Sequence, residues 1–133
     1  PGCFATLGIL ERIDALRTPQ VTLPGGAHAF IEPTRALVAV DVNTGPDTSP
    51  AAGLKANLAL VRDLPRQLRL RGLGGQITLD LAPMPKKDRH VVEDALRAAL
   101  RRDEVETTLA GWTPLGHYEV QRQRSRLPLT EML

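Results

Sequence analysis

The chain has 133 residues, is 42% hydrophobic and 3% aromatic, and carries a formal net charge of +2. That length and composition fit one globular domain with an aliphatic core; they exclude a disordered chain and remove the base-stacking signature common in single-strand binders. A lone cysteine, Cys3, excludes an internal disulfide and a cysteine-cluster zinc site, and no apolar run approaches the roughly 18 residues that a membrane span needs.

The chain opens Pro1-Gly2-Cys3 without an initiator methionine or a signal-peptide pattern, as a piece of a longer cytoplasmic protein would. Residues 8–16 place Ile9, Ile13 and Leu16 at helical spacing. Thr18-Pro19 ends that element, so residues 1–19 read as the tail of something upstream and 20–133 as the domain proper. Leu23-Pro24-Gly25-Gly26 is a turn. Residues 27–32 and 36–42 read as strands, and the short link at Pro33-Thr34 makes them an antiparallel hairpin. The second strand is apolar on both faces until its end, the pattern of a central, covered strand. After a polar loop over 47–53, Leu54, Leu58, Val61, Leu64 and Leu68 recur every three or four residues and predict a helix over 54–72. Pro65 inside it predicts a kink near residue 61 or a break. Gly72, Gly74 and Gly75 stop the helix; they precede a strand rather than open a helix, so they do not form a phosphate loop.

Strand 76–82 completes a βαβ unit, expected to be right-handed with its two strands parallel. Residues 88–102 predict a second helix with Val92, Leu96, Ala99 and Leu100 inward. Residues 105–110 and 116–121 read as two closing strands joined through Gly111-Trp112-Thr113-Pro114, with Trp112 expected to pack under the turn rather than to stack a base. The fold class is α/β: a mixed β-sheet with flanking helices, containing a hairpin and a right-handed βαβ unit.

Strand parity places the chemistry. Leu37, Ala39 and Asp41 share one strand face, and Asn43 joins them if the chain stays extended. Asp80 ends the other strand of the βαβ unit, on the sheet edge where open α/β sheets hold ligands. Two carboxylates about 5 Å apart repel by about 3 kcal/mol at an effective dielectric of 20, so the pair calls for a proton, a basic partner or a cation. Oxygen donors without a nearby cysteine favour Mg²⁺ or Mn²⁺, and such an ion suits phosphodiester hydrolysis. The plainer alternative is that Asp41 caps an Asx-turn before Asn43-Thr44-Gly45-Pro46. The chain holds 14 Arg against 3 Lys, with clusters at Arg62, Arg66, Arg69 and Arg71, at Lys86, Lys87, Arg89 and His90, and at Arg122, Arg124 and Arg126. Guanidinium groups grip phosphates, although a solvated helix face would look the same. His28, His90 and His117 lack metal-ligand spacing and read as surface or core histidines.

Those residues carry a family resemblance. The run from Phe30 to Gly45, with Glu32, Thr34, Ala36 and Asp41-Val42-Asn43-Thr44, is similar to the I-E-x-T-x-A-x-x-x-[IV]-D-[IV]-N-[ST] signature of ribonucleases E and G. Arg66-Gln67-Leu68-Arg69-Leu70-Arg71-Gly72-Leu73-Gly74-Gly75 resembles that family's A-R-Q-L-R-L-R-x-L-G-G, with Pro65 in place of the alanine. Residues 77–84, and Leu115-Gly116 with Glu119 and Gln121 to Arg124, resemble two further blocks. The resemblance implies a deoxyribonuclease-I-like subdomain with catalytic Mg²⁺ (or Mn²⁺) on Asp41 and Asp80 and with Asn43 at the site; from the charge clusters, Arg69, Arg71, Lys86 and Lys87 are expected on the RNA backbone. It implies hydrolysis of single-stranded RNA to 5′-phosphate and 3′-hydroxyl ends in RNA processing or decay, with an upstream OB-type RNA-binding domain and a 5′-end sensor as partners in the complete protein, and it leaves room for a homo-oligomer.

The departures point the other way. Pro83 stands where the family often has a second Asp, Ala56 and Ala59 replace a Thr and a Glu, Glu106 stands where a basic residue is expected, and no C-x-x-C zinc link follows. Pro83 and Glu106 favour an alternative, a catalytically degenerate RNA-binding or assembly module on the same scaffold, whereas Asp41, Asn43 and Asp80 kept together favour the enzyme. Even as an enzyme, the isolated chain is expected to be weakly active or inactive without its RNA-holding domains.

Overall fold

In a computed structural model of the chain, residues 18–124 are described. The predicted helix over 8–16 and the basic, then apolar, tail past Arg124 lie outside them. Six strands form one mixed sheet: β1 (Gln20–Thr22), β2 (His28–Pro33), β3 (Val38–Asn43), β4 (Gly75–Asp80), β5 (Thr107–Trp112) and β6 (Tyr118–Arg122). Their order is β1-β2-β3-β4-β6-β5. The β2–β3 hairpin is antiparallel and β3–β4 is parallel, as predicted, and every other pairing is antiparallel.

Helix α1 (Pro50–Arg71) crosses from β3 to β4, and α2 (Arg89–Arg101) links β4 to β5. Both pack on one face of the sheet. Val38, Val40, Val42, Ile77, Leu79, Ala29, Ile31 and Val120 meet Leu60, Val61, Leu64, Leu68, Val92 and Leu96 in one aliphatic core. Strand alternation sends the other residues to a face that no described element covers. This corrects the expectation that β3 is covered on both sides. Its valines are buried, but Ala39, Asp41 and Asn43 are not. The reason is topological: only β3–β4 is a parallel pair, and a mainly antiparallel sheet can keep one wet face.

Helix α1 begins four residues before its predicted start. Ser49 caps it, its Oγ accepting from Ala52 N at 3.2 Å, and Pro50 takes the first helical position, where its missing N–H costs nothing. The break at Pro65 does not occur; α1 runs unbroken past it. An interior proline costs about 3 kcal/mol, while Leu60, Val61, Leu64 and Leu68, each at most 1% exposed, contribute about 1.5–3 kcal/mol apiece. The helix ends as predicted at Gly72, whose φ of 66° is left-handed. Gly72 N bonds to Arg69 O at 3.2 Å and Leu73 N to Leu68 O at 2.9 Å, the paired bonds of a Schellman stop.

The closing hairpin sits two residues later than predicted. Gly111 and Trp112 belong to β5, and the reversal runs over 113–117, where Thr113 N donates to His117 O at 2.7 Å. Glycine and proline marked the turn too early because Gly111 occupies a register shift in the β5–β6 ladder instead.

Candidate active site

Asp41 and Asp80 are direct register partners on the parallel pair β3–β4. Neighbouring strands lie about 4.8 Å apart, and in-register residues share a face, so both carboxylates rise side by side from the open face. β3 stays extended through Asn43, which brings that side chain to the same face, one step further along the edge. Thus the structure brings together Asp41, Asp80 and Asn43. The Asp41 carboxylate has no hydrogen-bond or ion-pair partner among the described residues, which removes the Asx-turn alternative. The turn-forming aspartate is Asp47, whose Oδ1 accepts from Ser49 N at 3.0 Å; that bond lowers its pKa. Both residues of the pair are exposed, so solvent screens the repulsion. At near-bulk dielectric it falls to about 1 kcal/mol, below the value expected at an effective dielectric of 20.

Behind Asp80 the support is buried and specific. Asn57 on α1 is fully inaccessible; its Nδ2 donates to Ala82 O at 2.9 Å, and its Oδ1 accepts from Ala82 N at 2.8 Å. The same Nδ2 meets Met84 Sδ at 3.4 Å. One turn earlier on α1, a Cβ at Gly53 would lie 2.0 Å from the carbonyl oxygen of Pro83, so only glycine lets the helix approach the segment this closely. Asn57 and Gly53 together fix the chain leaving Asp80. The available signal was Asn57 itself, a polar residue set in the apolar stripe of Leu54, Leu58 and Val61.

The flank towards β6 carries a second residue that sequence reasoning set aside. His117 immediately precedes Tyr118, the register partner of Leu79, so it faces Asp80 across the sheet; its Nε2 lies 3.6 Å from Asp80 Oδ1. No sequence signal reveals this, because it depends on β6 inserting beside β4. Next to it, Tyr118 donates to Glu93 Oε2 at 2.7 Å, and burial together with that bond raises its pKa. Trp112 packs edge-on to Tyr118 at 4.9 Å, with Arg89 4.7 Å over its ring. The indole is therefore a packing residue, as expected, though on a strand. Lys86 and Lys87 form an exposed 3₁₀ turn on the connection leaving the Asp80 edge.

The arginines of the long helix lie elsewhere. Arg71 is buried; its Nε donates to Gln67 Oε1 at 3.1 Å and Nη1 to Thr18 O at 2.7 Å, tying α1 to the start of β1, and burial lowers its pKa. Arg69 is exposed in the last turn of α1, with Nη1 3.4 Å from Asp103 Oδ1. Asp103, its side chain 1% exposed, is also paired with Arg122, itself 2% exposed. These groups surround the beginning of β4, while Asp80 is its end. At about 3.3 Å per residue the two ends stand roughly 17 Å apart. The structure does not bring Arg69 and Arg71 to the carboxylates.

Two carboxylates and one amide carbonyl make an all-oxygen donor set. Among the described residues no three His, Cys, Asp or Glu side chains converge on one point, so the site offers no closed cage. It fits an ion that keeps most of its waters and takes one or two carboxylates, which is the habit of Mg²⁺.

The family model described as "Ribonuclease E/G family" matches residues 2–125. The chain is 37% identical over 123 residues to a protein named ribonuclease G from Salmonella typhimurium (strain SL1344), covering 86% of this chain and 24% of that protein. It is 35% identical over 127 residues to one named ribonuclease E from Escherichia coli K12, covering 91% of this chain and 12% of that one. It is 36% identical over 119 residues to a ribonuclease E from Nostoc, covering 86% and 17%. The chain therefore spans a quarter or less of the length of these relatives.

Proposed function

The chain belongs to the ribonuclease E/G family, and from that premise we infer that it is the metal-binding catalytic subdomain of an endoribonuclease acting on single-stranded RNA. The observation that carries this reading is the in-register pair Asp41–Asp80, two like charges side by side on the open face, with the Asp41 carboxylate unpartnered among the described residues and Asp80 met only by His117 at 3.6 Å. Asp41 and Asp80 would hold Mg²⁺ or Mn²⁺, with the Asn43 carbonyl beside them. Such an ion, when bound, supplies an acidified water and neutralises charge on the scissile phosphate. The protein's own part is positional. Asn57 and Gly53 hold the Asp80 connection, His117 limits the orientations of the Asp80 carboxylate, and Lys86 and Lys87 stand at the same edge to receive the RNA backbone. On this reading the complete protein would also carry an upstream OB-type RNA-binding domain and a 5′-end sensor and would work in the cytoplasm. Positioning a phosphodiester is worth about 7–11 kcal/mol of barrier, so the 133-residue chain alone should cleave poorly.

The test is calorimetric titration of the complete protein with Mn²⁺, beside single-turnover cleavage of a labelled single-stranded RNA, for the parent and for Asp80→Asn. The substitution should abolish measurable Mn²⁺ heat and lower cleavage by roughly three orders of magnitude, a loss of about 4 kcal/mol of transition-state stabilisation, with RNA still bound. Cleavage at the parent rate would make the pair structural. One observation favours a second reading, the degenerate RNA-binding module: Pro83 occupies a place where the family often has another carboxylate, and among the described residues no third His, Cys, Asp or Glu converges on the pair. A parent protein that binds RNA yet fails to cleave it in Mg²⁺ or Mn²⁺ would establish that reading instead.

A further inference from the structure

The groove between α1 and α2 lies in the helical layer, on the far side of the sheet from the carboxylates. It encloses about 460 Å³ over a floor of Pro65 and alanines of α2. Its rim carries Arg62, Arg66, Arg69 and Arg102. Two of the four rim arginines have acid partners within the fold. Asp63 takes Arg66 at 2.7 Å and Gln67 at 2.9 Å. Asp103 is buried against Arg122 and reaches Arg69 only at 3.4 Å. The side chains of Arg62 and Arg102, both exposed, have no hydrogen-bond or ion-pair partner among the described residues. The rise of an α-helix sets Arg62, Arg66 and Arg69 at steps of about 6 and 4.5 Å along the axis.

We propose that this groove is a second RNA site, which takes a stretch of phosphodiester backbone by charge alone. The rim offers two unpaired guanidinium groups, Arg62 and Arg102, flanking Arg66 and Arg69, whose acid partners are Asp63 and Asp103; unpaired guanidinium groups bind phosphate through paired donors, which suits a chain of singly charged phosphates. Small floor residues let an extended backbone settle between the helices. The groove holds no aromatic residue for base stacking, so it reads no sequence. It also lacks the deep apolar anchor pocket that a protein partner would use, which favours RNA over an acidic polypeptide. The proposal rests on RNA being the substrate of the carboxylate pair. Its consequence is a preference for length: an RNA long enough to pass from the Asp80 edge round to the helical layer would gain contacts that a short one cannot reach.

The test uses the complete protein with labelled single-stranded RNAs of about 5 and about 30 nucleotides, with polyglutamate as a second probe. Arg62→Gln with Arg102→Gln, two exposed positions, should leave melting unchanged. The double variant should weaken binding of the long RNA about tenfold at 50 mM salt and leave the short RNA and its cleavage unaffected. Losing two phosphate contacts should flatten the salt slope by about 1.4, so the deficit shrinks roughly sevenfold by 200 mM. Equal affinity of parent and variant for the long RNA would overturn the proposal. Loss of polyglutamate binding with RNA binding intact would overturn it in favour of an acidic protein partner. Asp80→Asn run in parallel keeps the two readings apart. It tests cleavage at the carboxylates, whereas the groove is scored on length-dependent binding.

Discussion

Where β4 begins, the buried charges are matched: Asp103 with Arg122, and Arg71 with Gln67 and the Thr18 carbonyl. Where β4 ends, Asp80 and Asp41 stand side by side with one loose histidine contact between them and solvent. The same strand thus carries a neutralised end and a bare end. A chain able to pair its charges so closely at Gly75 has no structural need to leave two carboxylates adjacent at Asp80. Matched charge at one end stabilises the fold; unmatched charge at the other is what a cation would need. Four substitutions probe that contrast.

Arg122→Met should have the largest effect on stability. It strands the buried Asp103 with only the longer Arg69 contact, and breaking a buried pair in this way costs about 3–5 kcal/mol, measured by urea denaturation. Asn57→Leu should follow, at about 2–3 kcal/mol, because it leaves the Ala82 N–H and C=O without their buried partners. Unlike Arg122→Met, it should also weaken Mn²⁺ binding, since it loosens the connection that holds Asp80; unchanged Mn²⁺ affinity would reduce Asn57 to a core residue. Tyr118→Phe should cost about 1 kcal/mol near neutrality. Burial, then the bond to Glu93, raises the Tyr118 pKa above its ordinary value near 10. A raised pKa adds stability that is present below about pH 10 and lost as pH climbs towards the folded value. The parent should therefore melt progressively earlier above pH 10, and Tyr118→Phe should show a shallower decline. Asp41→Asn should have the smallest effect and the opposite sign, a gain below 1 kcal/mol at low salt that disappears at high salt. A loss of stability there would mean that Asp41 is matched after all and that the contrast fails.

Much of this arrangement was legible in the sequence. The run Val38 to Asn43 and the block Ile77 to Asp80 carry their own alternation, and a crossover helix between them fixes a parallel pair, so the meeting of Asp41 with Asp80 followed from local pattern. Gly72 announced the end of α1 because its left-handed conformation is a local requirement. What stayed hidden depended on distant pairing. His117 reaches Asp80 only because β6 inserts beside β4. Arg71 resembles its exposed neighbours in sequence, yet its position on the helix turns it inward to Thr18. Pro65 looked like a breaker because propensity is local, whereas the packing that overrides it comes from the sheet and α2.

Helix α1 has one more consequence. Its 22 residues place Gly53 and Asn57 against the Asp80 connection, Leu60 to Leu68 on the sheet, and Arg62, Arg66 and Arg69 on the groove. Each residue advances the helix by roughly 100°. Deleting or inserting one residue between Asn57 and Arg62 would keep the composition almost intact, yet it would swing one half out of phase with the other: either the clamp on the Asp80 connection turns away, or the arginines leave the groove. This helix can therefore drift by substitution on its solvent side while its length stays locked, like a key that may be worn but not recut.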